Sequence, residues 1–246
     1  MRVLHLTDPH LFAEDTGELR GVVTDQSLKR VIAHYQEGDW RADVVAATGD
    51  LIQDDSIEAY ERFCAHLAPL GLPVYTVPGN HDVPALMQQV LSAEPFHVNA
   101  NLEVADWLIV GLDSTVAGHA GGVVETGELE RLDAAIEASE ATNVIVCLHH
   151  PPVAMGSRWL DSVGMKDGEA VLEWFGRSGR VRCVLFGHVH QAYDQIHDGI
   201  RLIATPSTCR QFAPGSDDFA VDDRPPAYRR IELGPSGALQ TEIQWL

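Results

Sequence analysis

Aspartate, asparagine and histidine recur in five short clusters: Asp8-Pro9-His10, Gly49-Asp50, Gly79-Asn80-His81-Asp82, His149-His150-Pro151-Pro152 and Gly187-His188-Val189-His190. Carboxylates mixed with imidazoles suit Mn, Fe or Zn better than Ca, which takes an all-oxygen shell. An aspartate has two oxygens and can join two ions. Asp50 is the natural bridge, because it stands alone on its segment between the other clusters. Two ions held ~3.5–4 Å apart form a clamp for phosphoester hydrolysis, one acidifying a water and both neutralising phosphoryl oxygens. In extended chain, residues i and i+2 project to the same side. Asp8 with His10, and His188 with His190, are therefore expected to face one cavity. Alone, each cluster has a plainer explanation: a surface accident, a turn, a solvated strand end. All five in one order are not explained that way.

Each cluster follows a short apolar run: Val3–Thr7, Val44–Thr48, Val74–Val77, Val144–Leu148 and Val181–Phe186. Such runs, bounded by turn residues, predict buried strands. Sites in open α/β sheets form outside the carboxyl ends of the strands. Between the first three runs, Leu28, Val31, Ile32 and Tyr35 recur at helical spacing, as do Ile57, Tyr60, Phe63, Cys64 and Leu67. Asp54, Asp55 and Ser56 are candidate caps for the second helix, and Pro84 suits the first turn of a third. This βαβαβα order predicts a parallel sheet. Further on, Trp107–Leu112 reads as a strand, Glu128–Ala138 as a helix, and Leu172 and Phe175 mark another helix. Asp198-Gly199 predicts a hairpin between Tyr193–Ile196 and Ile200–Ala204. Ala227–Leu233 and Leu239–Trp245 pair across Gly234-Pro235-Ser236-Gly237. Pattern alone supports an α/β core plus antiparallel strands. The acidic segment Ser216–Pro226 reads as a solvated loop with a short strand around Phe219–Val221, or alternatively as a lid.

A chain of 246 residues, 45% hydrophobic, with no linker, repeat or low-complexity tract, is expected to form one domain, residues 1–246. The net charge of −19, from 36 acidic and 17 basic residues, argues against nucleic acid and against anionic membrane as partners. Four cysteines without a C-x-x-C pair point to a reducing compartment. No signal segment precedes the first strand and no apolar span is long enough for a membrane, so a cytoplasmic protein is expected. Monomer and homodimer stay equally open.

The ordered set Asp8-x-His10, Gly49-Asp50, Gly79-Asn80-His81-Asp82, His149-x-Pro151 and Gly187-His188-x-His190 resembles the calcineurin-like metallophosphoesterases. Thr7-Asp8-Pro9-His10-Leu11-Phe12-Ala13, Ala47-Thr48-Gly49-Asp50-Leu51 and Thr205-Pro206-Ser207-Thr208-Cys209 with Gln211-Phe212 look like the bacterial class III 3′,5′-cyclic AMP phosphodiesterases within that superfamily. The resemblance covers nearly the whole chain. It implies a four-layer αββα sandwich, two mixed β-sheets flanked by helices. It implies two transition-metal ions (Mn, Fe or Zn): one on Asp8, His10 and His190, the other on Asn80, His149 and His188, with Asp50 shared. His149 is preferred to His150, since the family's ligand stands two residues before the first proline. His81 resembles the non-ligand catalytic histidine beside the leaving group. Many relatives carry an acid three residues after the bridging aspartate; here Gln53 stands there, which leaves open what orients His81.

The implied activity is hydrolysis of 3′,5′-cyclic AMP to 5′-AMP by in-line attack of a hydroxide shared by the ions. Asn80 and His81 would touch the cyclic nucleotide. Thr205-Pro206-Ser207-Thr208-Cys209-Arg210, with Thr205 and Ser207 as the contacts, is expected to wall its pocket, with a hydroxyl-capped structural turn as the equal alternative. Leu11 and Phe12 are candidates for contact with a base or for packing on the Thr205 turn; Trp159 and Asp161 are further pocket candidates. A phosphodiesterase or phosphatase of broader scope, acting on 2′,3′-cyclic nucleotides, glycerophosphodiesters or phosphoproteins, is the alternative. A non-catalytic scaffold ranks last, because every ligand position is filled.

Overall fold

A computed structural model describes residues 1–246. The chain runs β1 (Arg2–Leu6), β2 (Glu18–Leu19), β3 (Val22–Val23), α1 (Thr24–Glu37), β4 (Val44–Ala47), α2 (Ile57–Leu67), β5 (Val74–Thr76), α3 (Pro84–Val90) and β6 (Phe96–Val98). It continues through β7 (Asn101–Val104), β8 (Trp107–Gly111), α4 (Thr126–Ala138), β9 (Asn143–Cys147), α5 (Arg158–Asp161), α6 (Gly168–Arg177) and β10 (Val181–Phe186). The last strands are β11 (Tyr193–His197), β12 (Ile200–Ala204), β13 (Gln211–Phe212), β14 (Val221–Asp222), β15 (Ala227–Leu233) and β16 (Leu239–Trp245).

Two six-stranded mixed sheets result, in the orders β16-β15-β1-β4-β5-β6 and β11-β12-β10-β9-β8-β7. Strands β1, β4, β5 and β6 pair in parallel, as the βαβαβα order requires. So do β8, β9, β10 and β12 in the second sheet. Antiparallel strands form both edges of the second sheet and one edge of the first, where β15 returns the C-terminal hairpin to β1; parallel β6 is the other edge.

The layers follow from alternation, because successive strand side chains point to opposite faces. Val44 and Ala46 of β4 meet Ile145 and Cys147 of β9, and Cys183 and Leu185 of β10, in a core between the sheets. Val45 and Ala47 face the other way, onto Leu28, Val31, Tyr60 and Phe63 of α1 and α2. Val144 and Val146 turn outward onto Leu132 and Ile136 of α4 and Phe175 of α6. Three apolar interfaces make four layers, two sheets with helices on both outer faces.

Helix α2 begins where its cap lies: the Ser56 hydroxyl accepts from Ala59 N–H at 3.2 Å. Asp54 instead accepts from Ala13 N–H. Strands β6 and β7 were not expected; three residues after a proline and a polar edge strand carry little periodic signal. The Asp8–Thr24 stretch also contains a small hairpin, β2–β3. No helix is long and apolar enough to cross a membrane.

Candidate metal centre

The parallel strands of both sheets deliver their following turns to one place. Asp8 and His10 follow β1, Asp50 follows β4, and Asn80 and His81 follow β5. His149 follows β9, and His188 and His190 follow β10. The expected extended geometry is not what brings them together. Asp8, His10, Asp50, His188 and His190 all take positive φ, between 49° and 68°. Non-glycine residues seldom adopt the left-handed region, and such strain gathers at functional sites. Each turn curls its side chain back into the cleft instead of letting it alternate along a strand.

Ligand-type atoms pack densely there. Asp8, His10 and His190 form one group within 4.8 Å; Asp8, Asp50 and His149 form another. Asp50 Oδ2 stands 3.4 Å from His149 Nε2 and 3.7 Å from His10 Nε2, so its carboxylate lies between the halves. His190 Nε2 is 3.4 Å from Asp8 Oδ1 and 3.1 Å from His10 Nε2. His188 Nδ1 is 2.9 Å from Asn80 Oδ1.

The imidazoles are oriented from behind. His149 Nδ1–H donates to Thr48 C=O at 2.7 Å, and His190 Nδ1–H to Arg210 C=O at 2.5 Å. Those bonds fix the tautomer and leave the Nε2 lone pairs facing the centre. His150 is spent elsewhere: Nδ1 meets the Ser114 hydroxyl at 2.8 Å and Nε2 the Ala120 carbonyl at 3.2 Å.

Close packing enforces the arrangement. A Cβ at Gly79 would overlap Asp50 Oδ1 and sit 2.8 Å from His149 Cε1. One at Gly187 would overlap the Thr7 hydroxyl and sit 2.8 Å from Asp8 Oδ2. Asp82 ties two turns together, accepting from Gly79 N–H at 2.8 Å, Leu51 N–H at 3.1 Å and the Tyr60 hydroxyl at 3.0 Å. Burial pushes the Asp82 carboxyl up to about 7.

Electrostatics favour a cation. Burial would raise the pKa of Asp50, but His149, His10 and His81 hold it well below 3.8. Burial lowers His10 to about 4 and His188 to about 3, which keeps both imidazoles neutral. His149 runs the other way: burial lowers it, yet Asp50 and Asp8 raise it to about 9. Two buried carboxylates thus draw positive charge, and a metal ion would meet that demand in place of a proton. His149 Nε2, His188 Nε2 and His10 Nδ1 are buried without a hydrogen-bond partner. Unpaired buried nitrogens are costly, and at least the first two fit the residues to a metal pair.

His81 lines the cleft, and one of its ring nitrogens lies within 4.8 Å of ligand-type atoms of His10 and Asp50. Its backbone N–H donates to Asp50 Oδ1 at 2.9 Å and its ring stands edge-on to His10. Gln53 Nε2 lies 3.1 Å from His81 Nδ1. An amide N–H donating there makes Nδ1 the acceptor and leaves the ring proton on Nε2. Gln53 thus occupies the orienting position that sequence left open.

Thr205 and Ser207 do not wall the cleft, contrary to expectation. Both are fully buried. The Thr205 hydroxyl meets His5 Nδ1 at 2.7 Å, and the Ser207 hydroxyl donates to Asp8 C=O at 2.7 Å. They brace the Asp8 turn from behind, because the residues after β12 pack against β1 and the turn that follows it. Leu11 is also buried in the core, and Asp161 caps backbone N–H groups of Met155 and Ser157. Neither they nor Phe12 lines the cleft, whereas Trp159 does. Of the turn that begins at Thr205, Arg210 does line the cleft, and Arg20, Phe212 and Phe219 line it too, with no ligand pattern to mark them in the sequence.

Two sheets carrying aspartates, an asparagine and histidines at one set of strand ends define a metal-dependent phosphoesterase architecture. Residues 1–192 match the family described as calcineurin-like phosphoesterase. The chain is 38% identical to the 3′,5′-cyclic adenosine monophosphate phosphodiesterase CpdA of Pseudomonas aeruginosa, over 98% of this chain and 88% of that one. It is 34% identical to the enzyme of the same description from Escherichia coli K12, over 100% and 90%. A crystal structure of a dimetal phosphatase from Danio rerio superposes with a TM-score of 0.66 over 94% of each chain, at 17% identity, a likeness of fold. The chain belongs to the calcineurin-like phosphoesterase family.

Proposed function

We propose that this protein is a binuclear-metal phosphodiesterase that hydrolyses 3′,5′-cyclic AMP to 5′-AMP. The observation that carries the reading is the Asp50 carboxylate lying between His149 and His10, with both half-clusters around it. Asp8, His10 and His190 would hold one ion, Asn80, His149 and His188 the other, and Asp50 both. Imidazole with carboxylate favours Mn, Fe or Zn. Bound there, the pair supplies positive charge for the phosphoryl oxygens and acidifies water.

The chain's own residues do the rest. Asn80 would contribute a neutral amide oxygen and so leave cationic charge for the substrate. His81, held through Nδ1 by Gln53, can donate its Nε2 proton to the departing ribose oxygen. Asp50 lines the cleft with Asp8 buried beside it, while Arg20 and Arg210 add positive charge at the wall. In a chain of net charge −19, that local balance suits an anionic diester. The curated relatives' names supply the cyclic AMP assignment.

We read residues 1–246 as one domain, supported by β15 and β16 completing the sheet that β1 begins. Four free cysteines agree with a reducing, cytoplasmic setting. The test is a substrate comparison on purified Mn-loaded protein. Cyclic AMP should turn over faster than a generic aryl phosphate diester; equal or slower turnover defeats the assignment.

A further inference from the structure

Beyond the histidines the cleft changes character. Phe212 lies flat on His190, ring centroids 4.1 Å apart and planes 6° from parallel. Trp159 and Phe219 stand edge-on to Phe212 at 5.2 and 5.4 Å, and to each other at 5.1 Å. This triangle of rings therefore starts directly against a proposed metal ligand. A substrate with its phosphate on the metal end must lay its remaining bulk along these rings. Phe219 is 44% exposed, one of few large apolar side chains left in solvent. An open aromatic in a cleft wall is placed for a ligand, since packing it into protein would be favourable.

The segment bearing Phe219 is held in position. The Ser157 hydroxyl donates to Ser216 C=O. Trp159 N–H donates to Asp217 C=O at 3.2 Å and Ala213 N–H to Ala220 C=O at 2.9 Å. From the opposite wall, Arg20 in the turn between β2 and β3 sets its guanidinium carbon 4.7 Å from the Phe219 centroid. The Trp159 indole N–H is buried without a hydrogen-bond partner, on a side chain that lines the cleft.

We propose that Trp159, Phe212, Phe219 and Arg20 form the subsite for the nucleobase of the substrate. The proposal rests on the phosphodiesterase reading above and names its recognition element. Aromatic rings accept a base by stacking or edge contact. Purine ring nitrogens are acceptors for the unpartnered indole N–H. A guanidinium stacks on planar rings, so Arg20 can cover a base as it covers Phe219. An acyl or alkyl group in the same place would leave the indole N–H unsatisfied.

The test compares binding of 5′-AMP and ribose 5-phosphate to the metal-loaded protein by calorimetry, with cyclic AMP kinetics alongside. Ribose 5-phosphate keeps the sugar phosphate and lacks the base. The unmodified protein is expected to bind AMP roughly 10- to 100-fold more tightly, the range that base stacking supplies. Phe219→Ala removes an exposed ring, Trp159→Phe deletes the N–H, and Arg20→Gln deletes the guanidinium. Each should lower the AMP preference and raise KM for cyclic AMP more than it lowers kcat. A wild-type ratio near one, or a ratio and KM unmoved in all three variants, overturns the subsite. AMP preference without cyclic AMP turnover keeps the subsite and defeats the phosphodiesterase reading; turnover with no AMP preference does the reverse.

Discussion

The two ends of the cleft are built on opposite plans. At the metal end, side chains are buried, come from turns locked to parallel strands, and are oriented by backbone carbonyls such as those of Thr48 and Arg210. At the aromatic end, rings come from α5, β13 and the 216–226 loop, one is partly open to solvent, and they touch through edges and faces. Charge development in a reaction needs donors and ligands fixed in advance. Recognition of a flat heterocycle tolerates looser geometry, because every base has a π-face. The reacting end therefore stands on turns fixed by the parallel strands, and the proposed recognition end on α5, β13 and the 216–226 loop.

Substitutions at the metal end should therefore strike rate, and those at the other end affinity. Asp50→Asn breaks the contrast hardest if it fails: turnover should fall on the order of 10³-fold or more, with metal content reduced, measured by kinetics and elemental analysis. Gly187→Ala forces a methyl onto the Thr7 hydroxyl and Asp8. A roughly 10- to 100-fold loss of activity is expected, as for other displaced ligand supports, with the circular dichroism spectrum kept. Gln53→Ala should slow cyclic AMP hydrolysis about 10-fold and an aryl diester much less, since an aryloxide leaves without a proton. Equal losses on both substrates would show that Gln53 acts on folding instead of on His81.

Smaller effects sharpen the boundary between site and support. Ser207→Ala removes two buried hydrogen bonds, one to Asp8 C=O and one from Cys209 N–H, and should cost about 2 kcal/mol in urea unfolding while leaving KM unchanged. A raised KM would return Ser207 to the pocket wall. His5, buried between the Thr48 and Thr205 hydroxyls, is lowered to about 3 by burial and by Arg229. Between that value and its ordinary 6.5 the unfolded chain binds the extra proton, so His5 makes stability fall as pH falls through this window. Its share of the slope is at most about 1.4 kcal/mol per pH unit. His5→Gln should flatten the pH profile of unfolding by up to that amount.

Sequence by itself determined the candidate ligand types, their order, and the strands and main helices that carry them. Those follow from local periodicity and from turn residues placed directly after apolar runs. Val181–Phe186, Ala227–Leu233 and Leu239–Trp245 needed no long-range information. Only the tertiary structure decided that Asp8 and His190 curl inward through left-handed backbone, that Gln53 reaches His81, and that Thr205 and Ser207 support the site from behind. It alone brought Arg20 over Phe219 and Phe212 onto His190. The physical reason is separation along the chain: His190 meets His10 across 180 positions. Which partner a side chain finds at that distance depends on how two sheets stack, and local spacing carries no record of it.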